Sequence, residues 1–199
     1  LRVGGRRLAK SKDKKDKRVV MKGLLGFAHA IDWFNQQIAR FAVWAMFISC
    51  MVSAGNATVR YLVSMSSNGW LEVQWYLFAA CVLLGAPFVL KMNEHVRVDV
   101  LYSRLTSRGQ ARIDLFGLIF FLMPGALLLA WMSWPWFVDS YVTHEMSSNA
   151  GGLIRWPVKL ALPIGFGLLA LQGISEIIKR TAYLKGDYAM DLQYERPLQ

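Results

Sequence analysis

Four apolar stretches, each long enough to cross a bilayer, constrain this chain more than any other feature. A spanning helix needs roughly 20 mostly apolar residues. Residues 38–63, 70–90, 113–138 and 157–178 each meet that length. Backbone groups in hydrocarbon must satisfy one another, so each stretch is predicted to be helical. The expected fold class is therefore an all-α integral membrane protein with four transmembrane helices. The mean hydropathy of +0.31 and the eight tryptophans agree with a membrane chain.

Helix punctuation supports these limits. Ser67 and Asn68 can cap the second helix, with Glu72 expected in its first turn, where the helix dipole favours an anion. Ser107-Arg108-Gly109-Gln110 fits a capping box ahead of the third helix. Pro157 suits the first turn of the fourth. Pro87, Pro124 and Pro163 fall inside spans and are expected to kink them.

Two further stretches read as interfacial. Leu24, Phe27, Ile31, Phe34 and Ile38 recur at spacings of three or four, while His29, Asp32 and Gln36 fall on another face. That pattern predicts an N-terminal amphipathic interfacial helix over residues 23–37. Residues 93–112 are too polar to span. They predict a short cytoplasmic interfacial helix between the second and third spans. The domain plan is then a basic cytoplasmic arm (1–22), a membrane domain (23–182) and a cytoplasmic tail (183–199).

Charge sets the expected orientation. The chain carries 23 Lys and Arg against 13 Asp and Glu, and residues 1–22 hold ten of those bases and only two acids. Residues 64–69 have no Lys or Arg, residues 91–112 have five, residues 139–156 have only Arg155, and the tail from Lys179 onward is again basic. Short loops rich in Lys and Arg stay inside. Both termini are therefore expected in the cytoplasm, with Trp70, Trp134, Trp136 and Trp156 forming an aromatic belt on the outer side. A basic arm directly before membrane segments reads as a topology signal near lipid head groups, and no nucleic-acid partner is expected. The sequence opens on Leu1, which leaves its natural start open, and the first apolar run begins too late and is too long for a cleaved signal peptide.

Chemistry-bearing residues are sparse. Cys50 and Cys81 sit in separate apolar runs and read as packing residues. His29, His95 and His144 avoid the middle of every span and match no zinc or haem pattern. The sequence has no phosphate loop, no nucleophile elbow and no paired-carboxylate site, so an enzyme is not expected, nor is a cofactor. Ionisable groups within spans are functional candidates by default. Arg60, near the end of the first span, and Glu72, near the start of the second, are close enough to pair across the connection. Asn56 and Gln74 are expected to join helices by hydrogen bonds. Asn93-Glu94-His95-Val96-Arg97-Val98-Asp99 reads either as a snorkelling interfacial turn or as a contact for a partner protein. The stretch from Glu145 through Ser147, Ser148 and Asn149 to Leu153 reads either as a tight hydrated turn or as an extracytoplasmic docking surface.

These residues carry a resemblance. Asn56 with Arg60-Tyr61, the run Trp70-Leu71-Glu72-Val73-Gln74-Trp75-Tyr76-Leu77-Phe78, the run Glu94-His95-Val96-Arg97-Val98-Asp99, and Trp134-Pro135 occur in that order. Glu145-x-Ser147-Ser148-Asn149-x-Gly151-Gly152-Leu153 and Trp156-Pro157-x-Lys159 follow. The sequence resembles the small membrane subunit of tripartite ATP-independent periplasmic (TRAP) transporters, the DctQ type. Its loop segments look most like the branch associated with mannitol, chloroaromatic and 2-oxo acid uptake. The resemblance implies a non-catalytic scaffold in the bacterial inner membrane. Its partners would be a large membrane subunit, which carries the sodium and substrate sites, and a periplasmic substrate-binding protein. It further implies that Arg60, Glu72 and Trp75 serve helix pairing or the partner interface. His95, Arg97 and Asp99 would fix the cytoplasmic connection, and Glu145, Ser147, Ser148 and Asn149 would lie near the docked binding protein. Two other functions compete: a self-contained homodimeric transporter, and a membrane anchor of a redox complex.

Overall fold

A computed structural model describes residues 3–64, 67–93, 102 and 105–189, with side chains from residue 19 onward. Its helices are α1 (Val3–Val63), α2 (Asn68–Met92), α3 (Ser107–Val142) and α4 (Trp156–Lys185). Each is long and apolar enough to cross a bilayer. Among the described residues the sole β feature is an isolated antiparallel bridge between Met146 and Ile154.

α4 is the hub. It packs on α1, α2 and α3, while α1 and α2 pair with each other along their lengths and α3 packs chiefly on α4. The α1–α2 register is antiparallel. Ser49 Oγ donates to the Gln74 carbonyl at 3.0 Å near one end, and Lys91 Nζ donates to Gln36 Oε1 at 2.9 Å near the other. The end joined by residues 64–67 and 143–155 is called the loop end below. The end where α4 stops is called the terminal end.

Close approach depends on small residues. The face of α1 that meets its neighbours carries Ala28, Asp32, Asn35, Ala39, Ala42, Ala45 and Ser49, all buried. These recur at spacings of three or four, a helical seam. In a bilayer apolar burial between helices gains little, so association rests on van der Waals contact and hydrogen bonds, which small and polar seam residues allow. The two closest helix crossings on α4 are at glycines. A Cβ on Gly165 would lie 2.8 Å from Leu83 Cβ of α2 and 2.9 Å from the Leu83 carbonyl oxygen. One on Gly173 would lie 2.9 Å from Leu122 Cδ2 and from Met123 Sδ of α3. Large apolar groups point outward, among them Phe41, Trp44, Phe47, Phe120 and Trp131.

Several expectations change here. Residues 23–37 are not set apart as a surface helix; they continue α1 without a break into the span. Their polar face is in part covered by protein. Leu24, Phe27 and Phe34 are exposed, whereas Asp32 and Asn35 are buried against α4. The physical reason is the partner: α4 presents Gln172, Ser175 and Lys179 at the same level, so the polar face of α1 finds its hydrogen bonds in protein. The interfacial helix expected over 93–112 lies largely outside the described residues, and its last residues form the first turns of α3.

The helix starts shift as well. Thr106, not Ser107, caps α3, accepting from Gly109 N at 3.3 Å, and Gln110 donates to the Tyr102 carbonyl instead of closing a capping box. Ser67 precedes α2 without a side-chain cap, and Glu72 is the fifth helical residue, past the first turn. Pro157 does open α4. A π segment at Leu118–Leu122 directly precedes Pro124 in α3, and π segments and prolines are both places where helices bend.

The α2–α4 crossing predicts a sensitive position. Gly165→Leu must push Leu83 backbone aside, and overpacking of this kind costs about 1–3 kcal/mol. Gly167, whose Cβ position is open, is the control. Thermal unfolding in detergent should show a lower midpoint for Gly165→Leu and no comparable loss for Gly167→Ala.

Candidate functional site

Among the described residues six charged side chains are buried: Asp32, Glu72, Lys159, Glu176, Lys179 and Arg180. All sit in two polar clusters, one at each end of the bundle. Among the described residues no charged side chain is buried between them.

The terminal-end cluster is built on the last turns of α4. Gln172, Ser175, Glu176, Lys179 and Arg180 fall at spacings of three or four and so share one face. Asp32 of α1 receives that face. Its Oδ1 accepts from Ser175 Oγ at 2.7 Å and Gln172 Nε2 at 2.8 Å, and its Oδ2 accepts from Lys179 Nζ at 2.9 Å. Glu176 pairs with both Lys179 and Arg180. Arg180 then reaches Asp114 of α3 at 3.3 Å and Asn93 at the end of α2 at 3.2 Å. Asn35 Nδ2 donates to Gln172 Oε1 at 2.8 Å, and Tyr102 OH donates to Asp114 at 3.0 Å. One continuous network thus ties α1, α2 and α3 to α4. Buried ions persist only when paired and hydrogen-bonded, and here three carboxylates share two cations and several neutral donors.

The loop-end cluster fastens the 143–155 connection to α2. Glu72 is 1 % exposed. Its Oε1 accepts from Ser147 Oγ and from Asn149 Nδ2, the latter at 2.8 Å, and its Oε2 accepts from Leu153 N at 2.7 Å. The loop closes on itself through Ser147 N to the Leu153 carbonyl and Arg155 N to the Glu145 carbonyl, both at 2.9 Å. Glycine is required at two points. Gly151 has φ +71, and a Cβ on Gly152 would lie 2.5 Å from Ser147 Cβ. Beside this clasp Glu145 pairs with Lys159 of α4 and, at 3.4 Å, with Arg155. The Lys159 ammonium also stands 4.3 Å from the centre of the Trp136 ring of α3, a cation–π contact. The donating Lys159 ammonium and the Arg155 guanidinium hold the Glu145 carboxyl below its ordinary range.

The structure therefore brings Glu72, Ser147 and Asn149 into one site, with Glu145 next to it. It does not bring Arg60 to Glu72: among the described residues no ion pair joins them, because the loop donors fill the carboxylate first. Ser148 is exposed at the turn. Trp75 is 52 % exposed on α2. His95, Arg97 and Asp99 lie outside the described residues.

Sequence reasoning missed the terminal-end network. Lys179 and Arg180 read there as tail charges, yet they are 6 % and 3 % exposed. Asp32 read as water-facing. The available signal was the 172-175-176-179-180 spacing of polar residues on the fourth helix. Among the described residues no group of three or more metal-ligating side chains converges.

Two outcomes follow. Removing one member of a buried pair leaves its partner uncompensated and costs about 3–5 kcal/mol. Asp32→Ala should thus sharply lower thermal stability in detergent, and Asp32→Ala combined with Lys179→Met should lose less than the sum of the two single variants. The lowered Glu145 value has a definite sign. Its contribution to loop order is fully present above the unfolded glutamate value of about 4.3 and is lost as pH falls through the lower folded value. Rate-corrected hydrogen exchange at residues 145–155 should be flat from neutral pH to roughly pH 5 and rise only below that range. Glu145→Gln should weaken this acid dependence and leave the part that comes from the Glu72 carboxylate holding the same loop.

Comparison with known proteins places this architecture. Residues 49–182 match the family model described as "Tripartite ATP-independent periplasmic transporters, DctQ component". The C4-dicarboxylate TRAP transporter small permease protein DctQ of Vibrio cholerae serotype O1 is 29 % identical, over 70 % of this chain and 69 % of that protein. The isethionate TRAP transporter permease protein DctMQ of Oleidesulfovibrio alaskensis is 24 % identical, over 78 % of this chain and 24 % of that protein, so this chain spans about a quarter of its length. No solved structure gives a significant match. A four-helix membrane bundle whose charged groups are spent on holding its own helices together, matched over most of its spanning region, belongs to the DctQ family of small TRAP transporter permease subunits.

Proposed function

We propose that this chain is the scaffold subunit of a sodium-coupled, binding-protein-dependent TRAP transporter for organic acids of the C4-dicarboxylate, 2-oxo or hydroxy acid type. It braces the separate large membrane subunit, and a periplasmic binding protein delivers the substrate. The observation that carries this reading is the saturation of its buried charges. Among the described residues every buried ion is paired or hydrogen-bonded within this chain, and the stretch between the two clusters offers no buried charge to a substrate. A transport path needs polar groups free to exchange partners; a brace needs them locked. The names of the two relatives, one a C4-dicarboxylate and one an isethionate system, support an organic anion as cargo. The second relative carries large and small permease parts under one name, which supports a large partner for this chain.

Orientation follows from the basic arm and the Lys and Arg alternation of the loops. Both termini face the cytoplasm of a bacterial inner membrane, and the loop end faces the periplasm. The 143–155 clasp, including the exposed Ser148, then lies on the side from which the binding protein approaches. Glu72 holds it rigid. His95, Arg97 and Asp99 fix the cytoplasmic connection against lipid and the large subunit, and Trp75 faces the large subunit. The first turns of α1 lie along the cytoplasmic interface.

Uptake by cells expressing the large subunit and the binding protein, with and without this chain, tests the reading. Without the chain, uptake should fall to the level of cells lacking the transporter. Undiminished uptake overturns the scaffold role.

A further inference from the structure

The seam of α1 does not end where its own chain stops covering it. Buried positions run through Ala39, Ala42, Ala45 and Ser49. Steps of four, three and four then lead to Ser53, Asn56 and Arg60. At Ser49 the seam is closed by the hydrogen bond to the Gln74 carbonyl. Beyond it α1 and α2 leave clefts on both flanks. One is mainly apolar, lined by Met51, Gly55, Val59 and Trp70 among others. The other is polar, about 560 Å³, lined by Ser53, Asn56, Ala57, Arg60, Leu71 and Gln74 with Tyr61 at its rim.

This end of α1 suits neither lipid nor water. Val59, Tyr61, Leu62 and Val63 are 48 %, 87 %, 71 % and 58 % exposed, an apolar surface for lipid or a partner helix to cover. Yet Ser53, Asn56, Arg60 and Gln74 put donors on the same segment, and among the described residues their side chains make no hydrogen bond or ion pair with the rest of the chain. Elsewhere in the bundle polar seam residues are paired. Ser53, Gly55 and Ala57 also leave room for a helix backbone to approach closely. A small-residue seam, an apolar flank and a guanidinium without a counter-ion describe one half of a helix–helix contact.

We propose that the polar cleft between the loop-end halves of α1 and α2 seats a helix of the large membrane subunit, one that presents a carboxylate to Arg60 and oxygen acceptors to Asn56 and Gln74. The occupant is argued from charge and geometry. Arg60 is a planar donor fork matched by a carboxylate, and the continuing three- and four-residue steps fit a helix lying along α1. This surface rests on the subunit reading above, and it names the place and the chemistry of the contact.

The test uses this chain co-expressed with its large subunit and binding protein, carrying a photo-crosslinking amino acid at Ala57 or, as a control, at the lipid-exposed Trp131 of α3. Crosslinking from Ala57 to the large subunit, absent from Trp131, is expected. Arg60→Glu should reduce recovery of the large subunit roughly tenfold or more, because a like-charge contact replaces a pair, while Arg60→Lys should retain most of it. If the large subunit co-purifies but Ala57 links only to lipid, to the binding protein or to a second copy of this chain, the surface is wrong and the subunit reading stands. If the unsubstituted chain recovers no large subunit, both fall.

Discussion

Everything in this bundle hangs on the face of α4 that carries Gln172, Ser175, Glu176, Lys179 and Arg180. Five polar residues buried on one helix would be ruinous alone. They are tolerated because α1 supplies Asp32 and Asn35, α3 supplies Asp114 and the end of α2 supplies Asn93. The arrangement is directional in a way that apolar packing is not. Leu against Leu holds at many registers. Asp32 can serve Ser175, Gln172 and Lys179 together at only one, and that register also seats Gly165 on Leu83 and Gly173 on Met123. In a medium where apolar burial between helices gains little, such pairings specify a single bundle.

The loop end follows the same logic with fewer charges. A 13-residue connection of small and polar residues would sample many conformations. Glu72 suppresses this by accepting three hydrogen bonds from three positions along it, two from side chains and one from a backbone N–H. Glu145, Lys159 and Trp136 fix its flank against α3 and α4. A charged acceptor makes stronger bonds than a neutral one, which explains a carboxylate where an amide would fit sterically.

The number of spans was legible in the sequence because length and hydropathy are local quantities. So was the start of α4, since Pro157 acts on its own turn. The special character of Glu72 and of the run from Ser147 to Leu153 was visible as unusual composition, but their partnership was not: they stand 75 or more residues apart, and nothing local says that they meet. The amphipathic stretch at 23–37 shows a different limit. Its period was legible, but the burial of Asp32 and Asn35 against α4 was not. An apolar face means core in water and lipid in a bilayer, so the same stripe of Leu24, Phe27 and Phe34 points inward or outward according to what covers Asp32. Only the position of α4 decides that.

The α1–α2 pair is tied to the rest of the bundle at one end and flanked by clefts at the other. At the terminal end the four helices are locked to one another, so strain applied there is shared by the whole bundle. At the loop end clefts flank α1 and α2 beyond Ser49, while α3 packs chiefly on α4. The rigid half sets the spacing of the open half. Because the Glu72 clasp sits on the same stretch of α2 that lines the cleft, the surface presented by Leu71 and Gln74 is held by the 143–155 loop as well as by α1. A partner helix seated there would meet a preformed slot, and little conformational freedom would be lost on docking. The charges that lock the bundle to itself at the terminal end are joined by the Glu72 clasp in fixing the surface beside the cleft.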